Sequence, residues 1–332
     1  MVSATRILAT DADSPDAAVI AQAAETLRAG GLVAFPTETV YGLGANALDA
    51  RAVAGIFIAK GRPAGNPLIV HVANTQAARV LVADWPGAAD LLAKQFWPGP
   101  LTLVMKKSAL VPDIVTAGGP TVALRVPGHK LALAILDAAG VPVAAPSANR
   151  SAQLSPTRAE HVVRDLLGRV DVIVDAGPTA GGLESTVLDL TTTPPRLLRP
   201  GLVSPAEIEA IVGPIERRPV AALDKQPLRS PGLLERHYSP RTPIECLAGS
   251  GVPRVTELTH QGQRIGWLRL AATGDVVAGV TLVLMPDEPA AYAAMLYAVL
   301  HELDAAGLDR IIVELPPRTE PWLAIHDRLG RM

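Results

Sequence analysis

The chain has 332 residues, of which 49% are hydrophobic and 19% charged, with a net charge of −2. That length accommodates two domains with sizeable cores, and the charge balance argues against a protein that coats nucleic acid by bulk electrostatics. One cysteine, Cys246, excludes an intramolecular disulfide and any multi-cysteine metal site, so it reads as a small apolar residue.

Residues 1–213 alternate short apolar runs with amphipathic ones. The spacing predicts strands at Leu32–Phe35, Leu68–Val72, Leu101–Met105, Val122–Val126, Val141–Ala145, Val172–Val174, Thr186–Leu190 and Arg196–Arg199. It predicts helices over 15–29, 49–60, 86–96, 129–139, 156–168 and 205–212. Ser14-Pro15, Ser155-Pro156 and Ser204-Pro205 each offer an N-cap followed by proline. Gly30, Gly61, Gly140, Gly168 and Gly213 follow helical stretches, where a left-handed stop suits a residue without a Cβ.

Residues 214–243 hold six prolines and clustered charges, the composition of an extended interdomain linker. Within it lies SPGLLERHYSP, residues 230–240, too rich in His, Tyr and Arg for a passive spacer. From Ile244 a second α/β pattern begins, with strands at Arg264–Leu268, Val280–Leu284 and Ile311–Glu314 and helices near 288–306 and 320–329. The domain boundaries expected are therefore 1–213, 214–243 and 244–332. No segment is apolar enough to span a bilayer, and the N-terminus lacks the pattern of a secretory signal. A soluble, cytoplasmic protein with no membrane partner is the expectation.

The most informative run is KGRPAGNPLIVHV, residues 60–72. Lys60, Arg62 and His71 lie in a window, Arg51–Ala83, without one Asp or Glu. Cations with no local acidic partner suit a bound phosphate or carboxylate, although a solvated basic turn has the same composition. Pro63 and Pro67 bracket Asn66 and stiffen the loop. FPTETVYGLG, residues 35–44, leaves a strand for a polar turn in which Thr37 and Thr39 flank Glu38. GLGANA, residues 42–47, fits the glycine spacing of a dinucleotide loop but lacks the acidic residue that such loops carry about 20 positions later.

FWPGPLTLVM, residues 96–105, places Phe96 and Trp97 as core residues. In TVALRVP, residues 121–127, Arg125 ends an apolar strand and either snorkels or grips a carboxylate with its fork. PVAAPSANRSAQLSP, residues 142–156, is a loop of short donors (Ser147, Asn149, Ser151, Ser155) facing the start of the helix expected at Pro156, where an anion would be favoured. ESTVLDL and LLRPG, residues 184–190 and 197–201, put Ser185 and Arg199 near the ends of adjacent strands. No nucleophile elbow and no zinc spacing appears, so positioning and charge neutralisation fit this chain better than covalent catalysis.

Taken in order, these segments resemble the YrdC-like threonylcarbamoyl-AMP synthases over most of residues 25–213, in the long two-domain form. The resemblance implies an α/β fold, a YrdC-like twisted open mixed sheet with helices, and a smaller C-terminal Rossmann-like α/β domain. It implies that L-threonine and bicarbonate or CO2 form N-carboxy-threonine, which attacks the α-phosphate of ATP. Pyrophosphate leaves, Mg2+ accompanies the nucleotide, and a downstream transferase modifies tRNA beside the anticodon.

Carried over position by position, Lys60 and Arg62 resemble catalytic phosphate contacts. Asn66, Thr121, Ser147, Asn149, Ser155 and Arg199 fall on the ATP side. Thr39, His71, Arg125, Ala145 and Ser185 match the threonine pocket. Tyr238 resembles a tyrosine that folds over the occupied site on the nucleotide side. Metal ligands are unassigned, with Glu38, Asp175 and Glu184 as candidates. Gly65 and Ala152 depart from the pattern, standing where Asp and Gly are common. A weak RNA-binding module is the competing reading. Carbamoyl-adenylate chemistry is a third, opposed by the single cysteine.

Overall fold

The structure, a computed structural model, describes residues 4–217, 238–270 and 277–332. The chain divides into two compact units, Met1–Ser151 with Ser155–Leu234, and Ala152–Leu154 with Glu235–Met332. Residues 218–237, most of the expected linker, lie outside the described residues.

The first unit runs β1 (Arg6–Ala9), α1 (Ala17–Arg28), β2 (Val33–Pro36), β3 (Tyr41–Asn46), α2 (Ala50–Lys60), β4 (Ile69–His71), α3 (Thr75–Arg79) and α4 (Gly87–Phe96). It continues with β5 (Leu101–Lys106), β6 (Thr121–Arg125), α5 (Lys130–Ala139), β7 (Val143–Ala144) and α6 (Ala159–Leu166). It closes with β8 (Val172–Asp175), β9 (Thr186–Asp189), β10 (Arg196–Arg199) and α7 (Pro205–Val212). Among the described residues ten strands form one mixed sheet in the order β1-β8-β2-β3-β7-β4-β6-β5-β9-β10.

One core lies where α1 and α5 cover this sheet: Ala23, Leu27, Leu131 and Ile135 pack on Val33, Phe35, Val143 and Val172. Ile69, Val104, Ala123, Val187 and Leu198 form a second cluster among β4, β5, β6, β9 and β10. The low aromatic content is no handicap, because stacked Ala and Val side chains let the helices sit close to the strands.

The polar turn after β2 is confined to residues 37–40, and the chain returns to a strand, β3, from Tyr41 where the turn was expected to run on; within it Gly44 serves packing. A Cβ on Gly44 would stand 2.7 Å from Phe35 and 2.8 Å from Val143. Two N-caps also differ. Asp16, not Ser14, caps α1 by accepting from the Ala18 N–H, and α6 starts at Ala159 with Arg158 before it, so Ser155 caps nothing. Ser204 is the cap expected, with a full capping box to Glu207. Gly61 and Gly140 end α2 and α5 in the left-handed conformation.

Glu216 accepts from the Leu197 N–H, donates its own N–H to Pro195, and pairs with Arg196 at 2.7 Å. Residues 214–217 are thus held by the first unit rather than loose.

The second unit holds β11 (Ile244–Leu247), α8 (Val252–His260), β12 (Ile265–Leu270), β13 (Thr281–Met285), α9 (Pro289–Ala305), β14 (Arg310–Glu314), a 3-10 turn (Glu320–Trp322) and α10 (Leu323–Leu329). Its strands are all parallel, in the order β11-β14-β12-β13. β12 is interior and almost wholly buried, whereas β13 is an edge and partly exposed. β11 and α8 have no counterpart among the elements expected from the sequence. No described helix is long and apolar enough to cross a membrane.

Candidate active site

Lys60 is the last residue of α2, and the left-handed Gly61 turns the chain away immediately after it. Its side chain is buried, and Nζ donates to the Ser147 carbonyl at 2.6 Å, to the Asn149 carbonyl, and to Asn149 Oδ1 at 3.3 Å. Ser147 Oγ completes the cluster by donating to the same Oδ1 at 2.6 Å. Every one of these acceptors is neutral. Burial, aided by the neighbouring Arg62 charge, holds the Lys60 ammonium well below the usual lysine range, with Asp165 acting in the opposite sense.

Arg62 is also buried, and its guanidinium gathers the loop that follows: Nε donates to Asn66 O at 3.0 Å and Nη2 to Pro67 O at 2.8 Å. The expectation that these cations lack local partners is therefore revised for both residues. Carbonyls solvate them, and for Lys60 that solvation leaves the positive charge un-neutralised. Asn66 itself is 1% exposed, and neither its amide nitrogen nor its amide oxygen has a partner. A buried amide missing all its hydrogen bonds is costly, and a ligand is the ordinary remedy.

A second group surrounds Arg125. Parallel pairing of β4 with β6 sets His71 opposite Arg125, at the C-terminal ends of both strands. Arg125 is 3% exposed and donates from Nε to Gly99 O at 3.2 Å and from Nη2 to Thr39 Oγ1 at 3.1 Å. Nη2 also lies 2.7 Å from Glu38 Oε1. Thr39 and Thr37 share a hydroxyl contact of 2.8 Å. β3, β7 and β4 lie between β2 and β6 in the sheet, so this contact joins the β2–β3 turn to a strand that is not its neighbour.

His71 Nδ1 is buried without a partner, and burial plus the Arg125 charge push its imidazole down to about 3. Ala145, next along from β7, is 5% exposed and donates its N–H to Ile69 O.

Ser185 and Arg199 meet across the β9–β10 pair. Arg199 Nε and Nη2 donate to Ser185 O at 3.1 and 3.0 Å, and Nη2 to Ser185 Oγ at 3.2 Å, while Thr102 Oγ1 lies 2.8 Å from the same hydroxyl. Arg199 is buried, not the surface residue its place before a Pro-Gly turn suggests. Ser155 is fully buried and donates to Glu184 Oε1 at 2.5 Å.

Thr121 begins β6, about 13 Å along the strand from Arg125, so the two do not share one end of it. Tyr238 is buried in the second unit, with its ring 5.9 Å from that of Tyr297 and the Arg328 guanidinium over its face. Among the described residues no group of three or more His, Cys, Asp and Glu is placed to hold a metal. Glu38, Thr102 and His129 are the residues that sequence reasoning undervalued. Glu38 had a signal, lying between two threonines in a strand-end turn; His129 had none.

Residues 25–201 match the Sua5/YciO/YrdC family, described as telomere recombination, and residues 203–331 match the threonylcarbamoyl-AMP synthase C-terminal domain. The threonylcarbamoyl-AMP synthase of Pyrococcus abyssi is 43% identical over 320 residues, covering 93% of this chain and 92% of that protein. That of Bacillus subtilis is 45% identical over 329 residues, covering 96% and 94%. The crystal structure of P. abyssi Sua5 complexed with L-threonine is similar with a TM-score of 0.91 and 41% identity, covering 98% of this chain and 97% of that one.

Proposed function

This chain belongs to the Sua5/YciO/YrdC family of threonylcarbamoyl-AMP synthases, and from that premise we propose that it makes L-threonylcarbamoyl-AMP from L-threonine, bicarbonate or CO2, and ATP, releasing pyrophosphate. The observation that carries this reading is the pairing of two kinds of site in the first unit. One is a buried, carbonyl-solvated lysine beside Arg62 and the unpartnered Asn66 amide; the other is a buried arginine fork ringed by Thr39, His71 and Glu38.

The first set suits a polyphosphate. Lys60 and Arg62 would neutralise charge as pyrophosphate leaves, with Asn66, Thr121, Ser147, Asn149, Ser155 and Arg199 on the nucleotide side. The second suits a free amino acid, with Arg125 taking its carboxylate and Thr39, His71, Ala145 and Ser185 around its side chain. Holding N-carboxy-threonine in line with the α-phosphate converts a bimolecular attack into an effectively intramolecular one. Magnesium would arrive on the triphosphate, which needs only one or two protein carboxylates to keep it there. The product would pass to a separate transferase acting on tRNA in the cytoplasm. Any RNA contact by this near-neutral chain would be weak.

The test is pyrophosphate release with each substrate omitted in turn, and mass identification of the adenylate. Release should require threonine, bicarbonate and ATP together; release undiminished without threonine overturns the reading.

A further inference from the structure

Glu38 is a charged group in an unusual position. Both carboxylate oxygens are buried, and neither accepts a hydrogen bond. The 2.7 Å approach of Arg125 Nη2 to Oε1 is an ion pair without hydrogen-bond alignment. The residue is held from behind by its backbone, since Glu38 O accepts from the Gly181 N–H at 2.8 Å. Its head lies beside Gly128, where an added Cβ would stand in ordinary contact with Glu38 Cδ and Oε1 at 3.4 Å. The next residue, His129, has a buried Nδ1 that is also without a partner. A buried carboxylate with so little compensation is expensive, and breaking even requires a cation with good hydrogen-bond geometry.

An α-amino acid zwitterion supplies that cation. It offers a carboxylate and an ammonium on adjacent carbons, and the Arg125–Glu38 pair offers the complementary charges side by side. We propose that Glu38 binds the α-ammonium of threonine and acts as the general base that frees its amine for carboxylation. This assignment rests on the functional reading above.

On binding, the amino acid carboxylate takes Arg125, and the Glu38 carboxylate is released to the ammonium. One N–H bond breaks and its proton moves to a Glu38 oxygen. The freed nitrogen lone pair forms the N–C bond to bicarbonate, whose hydroxyl leaves as water with a proton from the amine. The carbamate results, and one proton resides on Glu38, from which His129 can carry it away.

The charged and titratable groups facing Glu38 are Arg125 from β6 and His129 before α5. His71 lies beyond the first and Asp13 beyond the second. Burial lowers the His129 imidazole, while Glu38 and Asp13 oppose that shift, so it can serve as a proton acceptor.

The experiment compares wild type, Glu38→Gln and Glu38→Ala in threonine- and bicarbonate-dependent pyrophosphate release between pH 6 and 9. The variant-to-wild-type ratio is taken at each pH, so that the speciation of the carbon donor cancels. Glu38→Gln should be slower by about 100-fold or more near neutrality, the scale of a lost general base. The deficit should shrink by about tenfold per pH unit as solution removes the proton instead. Added acetate should partly restore Glu38→Ala, and equal chloride should not.

A deficit of under about threefold, or one constant across pH and indifferent to acetate, overturns the assignment. Affinity for a non-hydrolysable ATP analogue, unchanged in both variants, shows the rest of the site intact. Wild-type enzyme without threonine-dependent release would instead refute the functional reading itself.

Discussion

His71 and Arg125 face one another in register across adjacent parallel strands, and both are buried. A cation opposite an imidazole keeps that imidazole neutral: burial first and Arg125 second push His71 down to about 3. In the unfolded chain the same group takes up its proton near 6.5. Between those values the unfolded state binds a proton that the native state refuses, so the contribution of His71 to stability falls as pH falls from about 6.5 towards 3. The slope is at most about 1.4 kcal/mol per pH unit for one proton. Denaturant melts from pH 7 to 4 should show this loss in the wild type and a shallower one in His71→Gln.

Lys60 carries two separable burdens. Its ammonium satisfies the buried carbonyls of residues 147 and 149, and in the proposed reaction it also meets phosphate. Lys60→Met keeps the stem but leaves those acceptors bare, so it should lose about 1–3 kcal/mol of stability. Pyrophosphate release should fall at least tenfold in Lys60→Met, and likewise in Arg62→Ala. Denaturant midpoints and initial rates read the two effects apart, and wild-type rates in both variants would reject their phosphate role.

Gly201 is where the backbone of the β10 turn passes closest to β9. An added Cβ would lie 2.3 Å from Thr186 N, 2.4 Å from Ser185 C and 2.5 Å from Glu184 O, all main-chain atoms that cannot swing aside. Gly201→Ala should therefore destabilise by about 3 kcal/mol and displace Ser185 from Arg199. Gly65, with open space about it, should accept Ala or Asp within about 0.5 kcal/mol. Thermal melts of the two variants should separate clearly.

Ala152 occupies a left-handed conformation, φ 68°, with its carbonyl accepting from the Ser239 N–H at 3.0 Å. An L-residue pays about 1–2 kcal/mol there, and glycine gives back part of that through its freer unfolded chain. Ala152→Gly should raise stability by up to about 1 kcal/mol, measured as an increase in denaturant midpoint at unchanged slope.

The elements that periodicity revealed are those with one dominant burial pattern. The amphipathic 205–212 stretch, flanked by Ser204 and Gly213, is helical over that same span, and the strand at Arg196–Arg199 is also as read. β3 is illegible because its two glycines mimic a loop; the packing of Phe35 and Val143 against Gly44 is what shows a strand. Ser155 is illegible for a related reason. Ser-Pro before an apolar run is a good cap locally, but a carboxylate 29 residues away, Glu184, takes the hydroxyl. The site's cations were legible from an acid-free window. Their solvation was not, because carbonyl acceptors leave no mark in side-chain identity. Glu38 stands in plain view, yet its pairing with Arg125 joins residues far apart in the chain, which no local pattern encodes.

The cage around Lys60 has an implication for how this site tolerates drift. Two of its three acceptors belong to the main chain, so exchanging the side chain at either 147 or 149 leaves those two oxygens in place. Lineages can thus vary the decoration of that loop while the lysine's anchoring persists, provided the path of the chain through Pro146 and Ala148 is kept.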